Sequence, residues 1–187
     1  MGARKIARKV TAKVRSAASV DKVWKEAEKA IAGERKKRER SGETFTSVTR
    51  DQYVEKLKRV KSPVIIGNGW SNTAPPSGTI NYSVTVQNPD PVTHVFLAVS
   101  VTIGNRNPIV SNDEFLTTWD TRFPTYAKQS PIGFSLGPGA TTTISFSIRI
   151  PAGVEKTGYF GNTVLQQIDF HDVGTYFDRA CFFFEVV

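Results

Sequence analysis

The run Asp169-Phe170-His171-Asp172 is the densest set of side chains in this sequence that is equipped for acid–base or metal chemistry. On a strand, side chains two apart share a face, so Asp169 and His171 could hold a metal ion with Asp172 beside them, or work as a carboxylate-oriented base. The plainer explanation is a set of polar residues at a strand end, turned to solvent. Asn112-Asp113-Glu114 offers oxygens for calcium in the same way, without the loop spacing of a dedicated site. His94 and His171 are the histidines available, and the sequence holds no phosphate-binding loop, no Gly-x-Ser-x-Gly elbow and no zinc signature. Gly67-Asn68-Gly69 reads as a short turn, not a nucleotide fingerprint. The single Cys181 excludes an internal disulfide and every multi-cysteine metal site, and reads as a thiol buried in a strand. The expectation is a non-enzymatic protein without a cofactor or dedicated metal site.

Charge carries the stronger signal. Residues 1–61 hold 19 Lys and Arg against 8 Asp and Glu, whereas residues 62–187 hold 6 against 9, within a net charge of +8. Such asymmetry adds nothing to a fold and speaks of partners. Arg4, Lys5, Arg8, Lys9, Lys13 and Arg15 occur in the first 15 residues without one carboxylate, and Arg35, Lys36, Lys37 and Arg38 open a second cluster ending at Arg40. Contacts from these cations to phosphates would release condensed counterions, giving affinity without base preference and a steep loss with salt. The alternatives are docking on an acidic protein partner, or an ordinary solvated helix surface. The latter suits Lys22, Lys25 and Lys29 interleaved with Glu26 and Glu28. An anionic membrane is disfavoured, because the neighbouring apolar stripe is mostly alanine.

The elements that must position these residues change in period along the chain. Apolar residues step by three and four over residues 3–18 and again at Val20, Val23, Trp24, Ala27, Ala30 and Ile31, predicting two helices, the second N-capped by Ser19 and ending near Gly33 or running on through the basic cluster. Thr49 and Gln52 have capping-box spacing, and Val48 and Tyr53 that of a hydrophobic staple, which predicts a helix over 50–60. Ser62-Pro63 ends it. From there the period is 2: Ile80, Tyr82, Val84 and Val86; Val95 to Ile103; Ile144, Phe146, Ile148 and Ile150. Residues 64–66, 114–119, 164–170 and 180–187 are further strand candidates. The division is therefore a basic helical arm over 1–61 and a β-sandwich over 62–187, mainly β and immunoglobulin-like, antiparallel in plan, although a small jelly roll has the same signature.

Thr79-Ile-Asn-Tyr-Ser-Val-Thr-Val-Gln-Asn-Pro-Asp90, followed by Phe134-Ser-Leu-Gly-Pro-Gly-Ala-Thr-Thr-Thr-Ile-Ser-Phe-Ser-Ile148, resembles the strand and turn pattern of CARDB-type immunoglobulin-like domains, over residues 64–187. The resemblance implies adhesion, scaffolding or spacing, usually outside the cell, and no catalytic residues. No apolar run of about 7 to 15 residues follows the basic start, so a secretion signal is not expected and the setting is the cytoplasm, or a particle assembled there.

Trp70, Trp119, Phe123 and Tyr126 would suit a sugar-binding platform, although aromatics in sandwiches usually fill the core. Phe182, Phe183 and Phe184 alternate faces, so the terminal strand is apolar on both and needs a cover from the helices or another subunit. The reading is a structural or recognition module with a cationic arm for nucleic acid or another polyanion, part of a homo-oligomer or larger assembly. The alternatives are a small viral coat or capsid-associated protein, an adaptor on an acidic partner, and a carbohydrate-binding module.

Overall fold

The change of period near Ser62 corresponds to two face-packed β-sheets, with a layer of helix laid over one of them. In a computed structural model, described for residues 17–60, 62–105, 126–129, 134–167 and 175–187, the elements run α1 (Ala17–Arg40), β1 (Thr44–Ser47), α2 (Arg50–Arg59), β2 (Val64–Trp70), β3 (Thr73–Ala74), β4 (Thr79–Gln87), β5 (His94–Asn105), β6 (Tyr126–Gln129), β7 (Phe134–Leu136), β8 (Thr141–Arg149), β9 (Gly158–Gln167) and β10 (Thr175–Val186). The first sheet has the order β1-β2-β4-β8. The second has β3-β10-β9-β5-β6, with β7 also on β5. All pairings are antiparallel except β3 with β10. The chain is thus a β-sandwich, mainly β as its alternation predicts.

The alternating residues meet between the sheets. Ile80, Tyr82, Val84 and Val86 of β4 face Leu97, Val99, Val101 and Ile103 of β5 across a core that Phe146, Ile148, Tyr159 and Leu165 complete. Each such side chain fully removed from water contributes about 1.5–3 kcal/mol. The buried Tyr82 ring stacks on Phe182 at 4.1 Å between centroids, and its hydroxyl accepts a 2.6 Å hydrogen bond from Thr163 Oγ1. Burial pushes this phenol well above its ordinary value.

A second apolar cluster lies on the other side of the first sheet. Val64 and Ile66 of β2 point outward and are covered by Ala27 and Ile31 of α1 and Tyr53 of α2, with Trp24, Phe45, Val48 and Leu57 around them. Alternation alone turns Val64 and Ile66 to the helices and Ile65 to the inter-sheet core; the β-bulge between Ile65 and Gly67 then shifts the pleat by one residue, so that Trp70 shares the core face with Ile65. Gly67-Asn68-Gly69 is therefore not the turn expected from its composition but the middle of β2. Its glycines answer to close approach: a Cβ at Gly67 would stand 2.8 Å from Cζ of Phe45, and one at Gly69 would stand 3.1 Å from Cδ of Arg38.

The helix starts and stops are partly as predicted. The capping box at α2 is formed, with Thr49 Oγ1 accepting from the Gln52 N–H and Gln52 Oε1 accepting from the Thr49 N–H. Ser19 is not an N-cap, because α1 already runs through it from Ala17, and Gly33 does not end α1, which continues to Arg40. The stop is at Ser41-Gly42, where Gly42 takes a left-handed φ of 65°. The predicted boundary at residue 61 marks no break in packing: β1 is a strand of the first sheet, and α1 and α2 lie flat on it. Most of the helix predicted over 3–18, and the strand over 114–119, fall outside the described residues.

Candidate functional site

The surface of α1 follows from which of its residues the sheet uses. Trp24, Ala27 and Ile31 lie on one stripe of the helix, and the same stripe continues by threes and fours to Glu34 and Arg38. Arg38 was expected among outward cations. Instead its stem lies across Gly69, it is 7% exposed, and its Nη1 donates to Glu43 Oε2 at 2.5 Å with Glu34 Oε2 3.7 Å from Nε. Its charge is committed within the fold. The other three members of that cluster stay outside: Arg35, Lys36 and Lys37 are exposed, as are Lys22, Lys25, Lys29 and Arg40. Arg35 makes a 3.0 Å hydrogen bond to Ser47 Oγ, a neutral partner. Arg4, Lys5, Arg8, Lys9, Lys13 and Arg15 lie outside the described residues.

The layer that carries these cations is pinned by buried polar contacts. Gln87 on β4 accepts from Tyr53 Oη at 2.6 Å and donates to the Val23 carbonyl at 2.8 Å, tying α2 and α1 to the sheet. Asp178, 4% exposed at a bulge of β10, accepts from Lys56 Nζ at 2.6 Å, from the Ile65 N–H at 2.7 Å and from the Arg179 N–H at 2.9 Å. Lys56 Nζ also donates to the Ile65 carbonyl at 2.8 Å. One carboxylate thus joins α2, β2 and β10. A cavity of about 180 Å³ beside it is lined by Thr46, Lys56, Asn68 and Ala180 among others. Its polar groups are spent on neighbours, since Asn68 bonds the Cys181 carbonyl and Thr46 Oγ1, so nothing in it is set to receive a ligand.

The terminal phenylalanines divide. Phe182 and Phe184 are 1% and 2% exposed on the inter-sheet face and are core residues, not the interface expected of them. Gly161 on β9 makes the room, for a Cβ there would stand 2.1 Å from two ring carbons of Phe182. Phe183 is 48% exposed on the outer face, edge-on to Phe160. Trp70 is likewise buried, tilted against Phe182 at 6.1 Å, so it is not part of a sugar platform. Cys181 is exposed on the outer face of β10 and not buried as expected, while desolvation of its sulfur still raises the thiol above its ordinary value. Asp169, His171 and Asp172 lie outside the described residues, as do Asn112, Asp113 and Glu114. Among the described residues there is no group of three metal-ligating side chains, and no helix long and apolar enough to cross a membrane. His94 meets Asp90 at 2.9 Å in a turn held by Asn88, and burial pushes its imidazole below its ordinary value.

No protein-family model matches the chain, and no curated protein does. Solved structures match its shape. The C-terminal domain of wzt is 11% identical, with 78% of each chain covered and a TM-score of 0.51. The CARDB domain of a Pyrococcus furiosus protein, solved with di-metal ions, is 18% identical over 67% of this chain and 86% of its own, at a TM-score of 0.42. A Bacteroides uniformis beta-glucuronidase matches 64% of this chain with 12% of its own length, at 15% identity and a TM-score of 0.42. The likeness to CARDB-type domains drawn from the strand and turn segments is met at the level of the fold. What the wzt domain has in common with the chain is the two-sheet β-sandwich.

Proposed function

We propose that the protein is a non-enzymatic binding module whose helix-covered sandwich holds out a cationic surface to a polyanion, and that nucleic acid is the class of partner this surface suits. One observation carries the reading. The apolar stripe of α1 is consumed by the sheet and Arg38 by two carboxylates, yet Arg35, Lys36, Lys37 and Arg40, at the same end of the helix, have no carboxylate within 4.0 Å among the described residues. The helix dipole favours cations at this end by about 0.3–1 kcal/mol each, which accounts for one or two of them. It does not account for the further six Lys and Arg, without an acid, in the first 15 residues.

A cluster of exposed cations, fanned around one end of a helix whose other face is packed, suits phosphates, which take charge from several directions and need no base readout. The sandwich supplies the frame that keeps α1 from fraying when its charges repel. The test is fluorescence anisotropy with a labelled duplex DNA, an RNA and heparin, on the full chain and on an Arg35→Glu, Lys36→Glu, Lys37→Glu variant. The reading expects weakened binding to all three, with the same circular dichroism spectrum. Equal binding by both proteins, or none by either, would overturn it.

A further inference from the structure

β8 is the outermost strand of the first sheet, bonded to β4 on one side and, among the described residues, to no strand on the other. The register shows which backbone groups remain. The Asn88 N–H donates to the Ala140 carbonyl and the Ile150 N–H to the Gly78 carbonyl, both at 2.9 Å. Both pairs continue the ladder in which Thr79 faces Arg149 and Gln87 faces Thr141. Opposed residues in an antiparallel ladder alternate between bonded and unbonded pairs. The even-numbered residues of β8 therefore bond β4, and Thr141, Thr143, Ser145, Ser147 and Arg149 turn their N–H and C=O groups away from it.

An edge of this kind is usually blunted by proline, lysine, a bulge or shortness. β1, at the far edge of the same sheet, is only four residues long. β8 has nine residues, Thr-Thr-Thr-Ile-Ser-Phe-Ser-Ile-Arg, with no proline, glycine or lysine and no shift of register. Ser145, Ser147 and Arg149 are exposed, so none of the described residues lies over that end of the strand.

We propose that β8 pairs with β8 of a second copy of this chain, antiparallel about a twofold axis at Ser145, joining two four-stranded sheets into one. Three features favour a second copy over a foreign strand. Centred on Ser145, the pairing engages all five outward-facing residues at once, with Thr143 opposite the partner's Ser147. The one charge on the strand, Arg149, falls opposite the partner's Thr141 instead of another cation. On the core face, Ile144, half-buried at the rim of the inter-sheet core, falls opposite the partner's Phe146, so the rim is closed by apolar contact. The axis stands perpendicular to the sheet, which puts both helix layers on the same side of the assembly.

Sedimentation velocity of the full chain over a wide concentration range tests this, together with Ser145→Pro and Ser145→Lys. Proline removes an N–H that β4 does not use, and lysine sets two like charges together at the axis. A disulfide test in a Cys181→Ser background makes the register specific. Bonded antiparallel partners stand about 5.5 Å apart at Cα, within the roughly 4.4–6.8 Å a disulfide spans, so Ser145→Cys should cross-link the dimer under mild oxidation. Ser147→Cys lies about 14 Å from its symmetry mate and should not. The expected results are a concentration-dependent dimer, loss of that dimer in the lysine variant and in the proline variant if it folds, and cross-linking at residue 145 alone. A monomer at every concentration, a dimer untouched by Ser145→Lys, or cross-linking at 147 in preference to 145 would overturn the proposal.

Discussion

Removing the Asp178 carboxylate should loosen the helix layer from the sandwich, and the structure sets the size of the effect. Asp178→Ala leaves the N–H of Ile65, a residue 2% exposed, without its acceptor, at a cost of about 1–3 kcal/mol. It also strands the Lys56 ammonium. Stripping one partner from a buried ion pair costs about 3–5 kcal/mol in full burial. Lys56 retains 25% exposure against 5% for Asp178, so its head can turn to water and the lower end of each range applies, about 4 kcal/mol in all. Lys56→Met leaves Asp178 with its two backbone donors and should cost less, about 1–2 kcal/mol. Urea denaturation of the two single variants and the double variant measures both terms and their coupling. The double variant should be more stable than the sum of the single losses predicts, because an apolar side chain then lies where a stranded charge would be. A loss below about 1 kcal/mol for Asp178→Ala, or strict additivity, would refute the view that this carboxylate ties α2 and β2 to β10.

Gly161→Ala forces a methyl group into the Phe182 ring and should destabilise the fold by about 3 kcal/mol, and the double variant with Phe182→Ala should lose less than the sum of the two single changes; thermal denaturation checks both. Thr49→Ala removes the cap of α2 and should lower stability by about 1 kcal/mol in the same assay. His94 titrates below its ordinary value in the folded chain, so the unfolded chain takes up its proton first as the pH falls. Stability contributed by the neutral ring is intact above about pH 6.5 and is lost as the pH drops through the folded value. His94→Gln should therefore flatten the decline in urea midpoint between neutral and mildly acid pH, and an unchanged slope would contradict the burial of that ring.

Much of this fold is legible in particular residues. The alternation of β4, β5 and β8 and the Thr49 capping box stand in the sequence because one buried face, or one cap, constrains successive residues directly. β1, β3 and β7, with four, two and three residues, are too short for a period to show. The role of Gly67 and Gly69 could not be read locally, since turn and close approach both select glycine, and only the crossing of Phe45 and Arg38 decides between them. Arg38 did carry a signal: it stands seven residues beyond Ile31 on the stripe that packs, where an arginine has to be neutralised or turned away. Phe182 and Phe184 could be separated from Phe183 by parity. Which parity faces the core depended on Gly161, across the strand pair.

The salt dependence of DNA binding decides whether the exposed cations of α1 meet phosphates. Each phosphate neutralised on B-DNA contributes a slope of about −0.9 to log K against log salt concentration. If Arg35, Lys36 and Lys37 each meet a phosphate, the full chain should show a slope steeper by about 2.7 than the variant in which all three are reversed to glutamate. Equal slopes for the two proteins, or an affinity that salt does not change, would contradict a helix held on the sandwich to present its charges outward.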